Sequence, residues 1–158
     1  VNNLLVINER LLADRPTSGR ECGTCTACCT VLAIAELQKP ARWACSHLAC
    51  DCCGIYDQRP KSCRDFNCAW LRGAISGDES WRPDKLGLLF DFFYSTATNR
   101  ERFVAFELWK GAFDAPPAAA LLLELAAVRE VELSYRDGTW RTIGPTAKVD
   151  TQGYSSTA

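Results

Sequence analysis

The chain has 158 residues, 47% hydrophobic and 23% charged, which is enough apolar side chain for a buried core and excludes wholesale disorder. Lys and Arg number 18 against 19 Asp and Glu, a formal charge of -1, so neither a nucleic acid nor an anionic membrane surface is implied as partner. All ten cysteines lie between Cys22 and Cys68, a distribution that marks a metal or redox site.

At the amino terminus, Leu4, Leu5, Leu11 and Leu12 stand at helical spacing. They predict a short amphipathic helix in an arm over residues 1–19, ended by turn chemistry from Asp14 to Gly19. No basic region leads into an apolar core with a small-residue cleavage site. The longest apolar stretch, Ala115 to Val128, is broken by Pro116, Pro117 and Glu124 and is too short for a bilayer. The expected compartment is therefore the reducing cytoplasm, where clustered cysteines bind metal rather than form disulfides.

Residues 20–72 form the cysteine-rich region, in which Val31 to Gln38 predicts one or two helical turns closed by Lys39-Pro40. Residues 73–84, with Gly73, Gly77 and Pro83, read as a linker. An α+β unit is expected over residues 85–145. Lys85 to Tyr94 reads as a buried strand and Arg102 to Trp109 as a second, joined through Ser95 to Glu101 as a hairpin. Asp114 is the expected N-cap of a helix that carries Pro116 and Pro117 in its first turn and turns Leu121, Leu122, Leu125 and Val128 to the sheet.

Val131, Leu133 and Tyr135 then alternate with polar residues, as in a strand with one wet face. Asp137-Gly138 predicts a two-residue hairpin turn, after which Thr139 to Ile143 returns and sets Tyr135 opposite Trp140 on the core side. Residues 146–158 remain as a tail. The expected fold class is α+β: a small irregular cysteine-rich metal-binding lobe followed by a β-β-α-β-β unit.

Within the lobe, Cys22-Gly-Thr-Cys25-Thr-Ala-Cys28-Cys29 repeats the two-residue gap twice. Such a turn lets two thiolates converge on one ion while backbone amides point at the sulfurs. Neighbouring side chains diverge, so Cys28 and Cys29 are expected to serve two different ions or two sides of one cluster. Cys45, Cys50, Cys52 and Cys53 form a second group, and Cys63 and Cys68 a third. Four sulfurs complete a tetrahedral site, so eight ligands make two sites and leave two cysteines spare.

Cys22 to Cys29, Cys45-Ser46-His47-Leu48, and the run from Cys53-Gly54-Ile55-Tyr56 through Arg59-Pro60 to Cys63 and Cys68 together resemble the YkgJ-type cysteine-cluster family of zinc- or iron-chelating proteins. The resemblance covers residues 20–72, and Trp81-Arg82-Pro83-Asp84-Lys85 looks like the segment that follows in some bacterial members. It implies Cys22, Cys25, Cys28, Cys29, Cys45, Cys53, Cys63 and Cys68 as the metal ligands, with Cys50 and Cys52 extra. The family has no settled general activity, so the resemblance implies metal binding and no reaction. Zinc is the expected ion, because closed four-thiolate sites are its commonest setting. Iron or an iron–sulfur cluster is the alternative, since C-x2-C-x2-C also opens ferredoxin-type motifs.

His47 is the sole histidine, so no His-based catalytic pair exists; it either supports the site or replaces a thiolate. Arg59 and Arg64 bracket Cys63, either donating to the formally -2 charge of a four-thiolate zinc site or pairing with Asp57 and Asp65. Residues 20–72 carry seven basic and five acidic side chains, a balance that eight thiolates and two Zn²⁺ would turn negative. That disfavours a nucleic-acid module. Tyr56 and Pro60 are expected to shape the turn into Cys63, and Trp70 and Trp81 to lie in the core. There is no phosphate loop, nucleophile elbow or Ser/His/Asp set. The sequence thus favours a metal-binding protein, with an iron–sulfur redox protein or enzyme and a metal-folded interaction module as alternatives.

Overall fold

The computed structural model describes residues 19–75, 77–95 and 99–145. The predicted amino-terminal helix and the 146–158 tail lie outside them. The chain is mixed α+β, with two sheets and few helices. Its first half has only short elements: α1 (Ala27–Val31), the two-residue strands β1 (Leu48–Ala49) and β2 (Cys52–Cys53), α2 (Lys61–Asp65) and α3 (Pro83–Leu86). Then come β3 (Leu88–Ser95), β4 (Arg100–Glu107), α4 (Pro116–Val128), β5 (Val131–Ser134) and β6 (Trp140–Ile143). The last four strands form one sheet in chain order, antiparallel except where α4 carries the chain over to set β5 parallel to β4.

Both faces of this sheet are covered over Leu88, Leu89 and Phe90 of β3 and over Phe103, Val104, Ala105 and Phe106 of β4, which explains why β3 reads as an almost unbroken apolar run. Leu88, Phe90, Phe103 and Ala105 face α4 and pack with Leu121, Leu122 and Leu125. Phe90 stacks on Phe103 with ring centres 5.5 Å apart. Leu89, Val104 and Phe106 point the other way, into a second cluster with Ala27, Val31, Cys68, Trp70 and Leu71. The cysteine-bearing stretch therefore lies directly on the sheet. Trp70 is buried and Trp81 packs partly buried against both clusters.

Several local features differ from the sequence expectation. The early helix is Ala27–Val31, followed by a single 3-10 turn at Ala35–Leu37, because Gln38 takes a left-handed φ of 51° and stops propagation. The stretch expected to be a linker contains a 3-10 turn at Glu79–Trp81, and α3 claims Lys85 and Leu86 from the expected strand. Pro83 opens α3, and Gly87 closes it at φ 85° by donating its N–H to Pro83 O at 2.8 Å. A Cβ on Gly87 would come within 2.6 Å of the Trp109 ring, so glycine is required there twice over.

Asp114 does not cap α4: it ends a 3-10 turn at Ala112–Asp114, and Ala115 precedes the helix without a side-chain cap. Val128, the last residue of α4, is 76% exposed, and Ala118, Leu121, Leu122 and Leu125 form the buried stripe of the helix. In the last hairpin Ser134, not Tyr135, is opposite Trp140. The loop has three residues, with Gly138 at φ 89° donating to Tyr135 O at 3.1 Å and Tyr135 N–H donating to Thr139 O at 2.9 Å. That is a turn followed by a left-handed glycine, and its extra residue shifts register by one. Trp140 consequently stands 53% exposed, while Tyr135 packs edge-on against Phe113 at 4.9 Å. Among the described residues no helix is long and apolar enough to cross a membrane.

Arginines fasten the irregular half to the sheet. Arg42 donates to Glu107 O at 2.5 Å on β4, and to Ser134 O at 2.5 Å and Ser134 Oγ at 2.7 Å on β5, with its guanidinium over Phe106. Arg20 donates to Trp70 O, Ile75 O and Gly77 O at 2.5–2.7 Å. Arg42→Ala strands acceptors on the buried residues Glu107 and Ser134, an expected loss of roughly 2–4 kcal/mol. Urea unfolding should read that loss, and Arg42→Lys should recover little of it, because one ammonium cannot span two strands. A loss under 0.5 kcal/mol, about the scatter of surface substitutions, would refute the fastening role.

Candidate functional site

The described cysteines are all free thiols, and most of them surround one cavity of about 500 Å³. Its wall carries Cys22, Cys25, Cys28, Cys29, Cys45, Cys52, Cys53 and Cys63, with Leu32, Ile34, Ile55, Phe66 and Phe93 between them. Seven of the eight cysteines expected as ligands are thus brought to one cavity. Cys68, the eighth, lies deeper: it is 9% exposed, in the cluster between the cavity and the sheet, with Cys22, Cys25 and Cys28 packed against that cluster. Cys52, expected to be spare, lines the cavity; Cys50 does not.

Local geometry follows from the sequence. Cys25 N–H donates to Cys22 O at 2.9 Å, closing the first two-residue gap as a turn. Gly23 takes φ 54° in that turn, and a Cβ there would stand 3.0 Å from an Arg82 guanidinium nitrogen. Arg82 is held by Asp84 at 2.6 and 2.9 Å and reaches Thr24 Oγ1 at 3.4 Å, so it lies against the Cys22–Cys25 turn. Cys28 and Cys29 sit on α1. Cys45 N–H donates to Cys29 O at 3.0 Å and brings the second group to the first.

Cys52 and Cys53 form β2, paired with β1 across a turn in which Cys50 has a left-handed φ of 53°. Cys50 is exposed, and the Cys52 thiol donates to Ala49 O at 3.3 Å. Cys63 lies on α2, which is moored by Glu36: its carboxylate accepts from Ser62 N–H at 3.1 Å and Ser62 Oγ at 2.7 Å. Tyr56 and Arg59 form a stacked pair at 3.6 Å on the approach to α2, Arg59 also donating to Tyr56 O at 2.8 Å.

Burial opposes ionisation of most of these thiols. It raises Cys22, Cys25 and Cys63, and pushes Cys68 up to about 12. Backbone N–H groups of Ala27 and Asp84 act against burial at the Cys25 sulfur, and that of Leu71 does so at Cys68. Cys28 donates its thiol proton to Cys29, which raises Cys28 and lowers Cys29 to about 7. Lys39 is buried, donates to Leu32 O and Pro40 O, and feels the charge of Cys45, Cys29, Cys28 and Cys63. The sequence offered no pattern that ties Lys39 or Glu36 to the cysteines, and marked Arg82 only as part of the Trp81–Lys85 segment; each acts through chain segments brought together only by folding.

As the side chains stand, no three His, Cys, Asp or Glu groups among the described residues are arranged to hold a metal ion. The donor chemistry nevertheless fits one: a sulfur-rich wall, N–H groups aimed at sulfurs, and cations alongside suit zinc or iron. The chain matches no family model, no curated protein and no solved structure in comparisons with each.

Beneath Cys68, β3 carries a buried carboxylate. Asp91 is 5% exposed, its Oδ1 lacks a hydrogen-bond partner, and burial raises its pKa to about 6. The folded chain therefore holds a proton that the unfolded chain, with a carboxyl near 3.9, has already released. This contribution to stability is fully present below about pH 4 and is lost as pH rises through about 6. Asp91→Asn should erase that loss, gaining about 2–3 kcal/mol over the wild type between pH 4 and pH 7. Denaturant melts of both proteins at the two pH values, in the same metal-free buffer, measure it. An unchanged gap between the variants would refute it.

Proposed function

We propose that this protein chelates metal through its cysteine cluster, with zinc as the ion and a structural or metal-handling role for it. One observation carries the reading: eight cysteines from separate stretches of chain wall a single cavity. The ligands proposed are Cys22, Cys25, Cys28, Cys29, Cys45, Cys53, Cys63 and Cys68, and the resemblance to the YkgJ-type family belongs to the same proposal. Zn²⁺ or iron would supply the positive charge that lets buried thiols lose their protons. Lys39, Arg59 and Arg82 offset what negative charge remains. The chain's own part is to hold sulfurs at fixed points around the ion and to keep water from most of them.

Metal analysis of anaerobically purified protein, with an ultraviolet–visible spectrum, tests this. About two zinc ions per chain and no visible absorption are expected from eight thiolates. Iron with broad visible bands would replace zinc by the iron–sulfur alternative, and absence of both metals would refute chelation. Thiol titration after denaturation in chelator should find the cysteines reduced; disulfides throughout would overturn the reading.

Because a structural zinc site supplies roughly 10–16 kcal/mol of apparent binding energy at neutral pH, its loss should unfold the Cys22–Cys68 region. Hydrogen exchange with and without chelator should show protection lost there and retained in β3 to β6. Unchanged protection in protein proved metal-free would contradict it. Competition between proton and metal sets the pH dependence: with most thiols raised by burial, affinity should fall more than tenfold per pH unit on acidification.

A further inference from the structure

We infer that the cysteines divide into two four-sulfur sets, Cys22 with Cys25, Cys28 and Cys68, and Cys29 with Cys45, Cys53 and Cys63, each for one divalent ion. The inference rests on the proposed metal binding and adds which sulfurs share an ion. Side-chain packing draws the first boundary. Cys68 belongs to the cluster on the cysteine-facing side of the sheet, and the cysteines packed against that cluster are Cys22, Cys25 and Cys28. The other four line the cavity without joining it.

Electrostatic neighbourhoods follow this boundary away from the Cys28–Cys29 step and cross it there. Cys68 feels Cys22 and Cys25, and Cys28 also feels both. Cys63 feels Cys29, Cys45 and Cys53. Cys29 also acts on Cys22 and accepts the Cys28 thiol proton, so the two sets touch at these residues. The Cys28–Cys29 step is that meeting point. Successive helical residues point about 100° apart, so one side chain of α1 turns to each set.

The backbone builds the second set separately. Cys45 is hydrogen-bonded to the Cys29 carbonyl at 3.0 Å, and Leu48 N–H donates to Cys45 O at 3.1 Å. Gly54 N–H donates to His47 O at 2.8 Å, which places Cys53 beside that turn. Glu36 fixes α2, and with it Cys63, from the other side. Cations line both sets: Arg82 lies against the Cys22–Cys25 turn, and Lys39 is buried where it feels Cys45, Cys29 and Cys63 of the second set and Cys28 at the junction. Arg59 acts on Cys22 and Cys29, between the two. Cys52 is exposed and bonded to its own turn, and Cys50 sits at the exposed turn tip, so neither joins a set.

The test uses the full chain loaded with ¹¹³Cd²⁺, whose spin couples to the β protons of the cysteines that bind it. Two cadmium signals are expected, one correlating with Cys22, Cys25, Cys28 and Cys68 and the other with Cys29, Cys45, Cys53 and Cys63. A cadmium that correlates across the two sets, or cadmium–cadmium coupling through a shared sulfur, would overturn the division while leaving metal binding intact. Failure to bind cadmium at all would overturn the proposed function itself, and the division with it. Zinc stoichiometry of double variants gives a second reading. Cys25→Ala with Cys68→Ala should lower about two equivalents to one, as should Cys45→Ala with Cys63→Ala. Cys25→Ala with Cys45→Ala leaves three sulfurs in each set and should weaken both sites alike, whereas loss of one equivalent with the other at full affinity would refute the division.

Discussion

Guanidinium groups donating to backbone carbonyls hold this protein together where secondary structure cannot. The cysteine-bearing half has five-residue helices and two-residue strands, all too short to persist alone. Its carbonyls and those of the facing sheet still require donors once buried. Arg42 supplies them across 65 residues to Glu107 and across 92 to Ser134, joining the loop after α1 to two neighbouring strands. Arg20 does the same for Trp70, Ile75 and Gly77. The planar fork of arginine serves two carbonyls in fixed directions, which a lysine ammonium cannot do. With those ties in place, Leu89, Val104 and Phe106 can be covered by Val31, Trp70 and Leu71, and the middle of β3 and β4 is buried on both faces.

The same packing sets the electrostatics of the cysteines. Bringing thiols to one cavity over an apolar cluster removes the water that would stabilise thiolates, so burial raises Cys22, Cys25, Cys63 and, most deeply, Cys68. The compensating charges come from between and beyond the cysteine groups as well as from within them: Lys39 after the 3-10 turn, Arg82 before α3, and Arg59 before α2 inside the third group's run. Gly23 lets Arg82 approach, since a side chain there would meet its guanidinium. Under the proposed function these cations and the bound ions together neutralise the sulfurs, which explains how so many cysteines can share so small a volume. Asp91 beneath them has no such partner at Oδ1 and keeps its proton more readily than an ordinary carboxyl.

Features that depend on neighbours along the chain were legible in the sequence. The order of strands and helix in the second half follows from hydrophobic periodicity, and the clustering of sulfurs follows from C-x2-C spacing. Leu121, Leu122 and Leu125 face the sheet because 3.6 residues per turn puts them on one side. Features that depend on one residue of register were not. Asp137-Gly138 suits a two-residue turn, yet with Gly138 at positive φ and Tyr135 closing on Thr139 the loop takes three residues and Trp140 turns out to solvent. Asp114 has the chemistry of a cap but is used one step too early by a 3-10 turn.

By itself the sequence determined an α+β chain with a cysteine-dense first half, because composition, spacing and periodicity are local quantities. Only the tertiary structure decided that the cysteine stretch lies on the sheet and that Cys68 is buried beneath the cavity. It alone brought Lys39 and Arg82 to the cysteines and moored α2, with Cys63, to Glu36. Those outcomes depend on which distant segments can bury apolar surface together while every carbonyl still finds a donor. That condition is met by whole-chain packing and is written in no single stretch of residues.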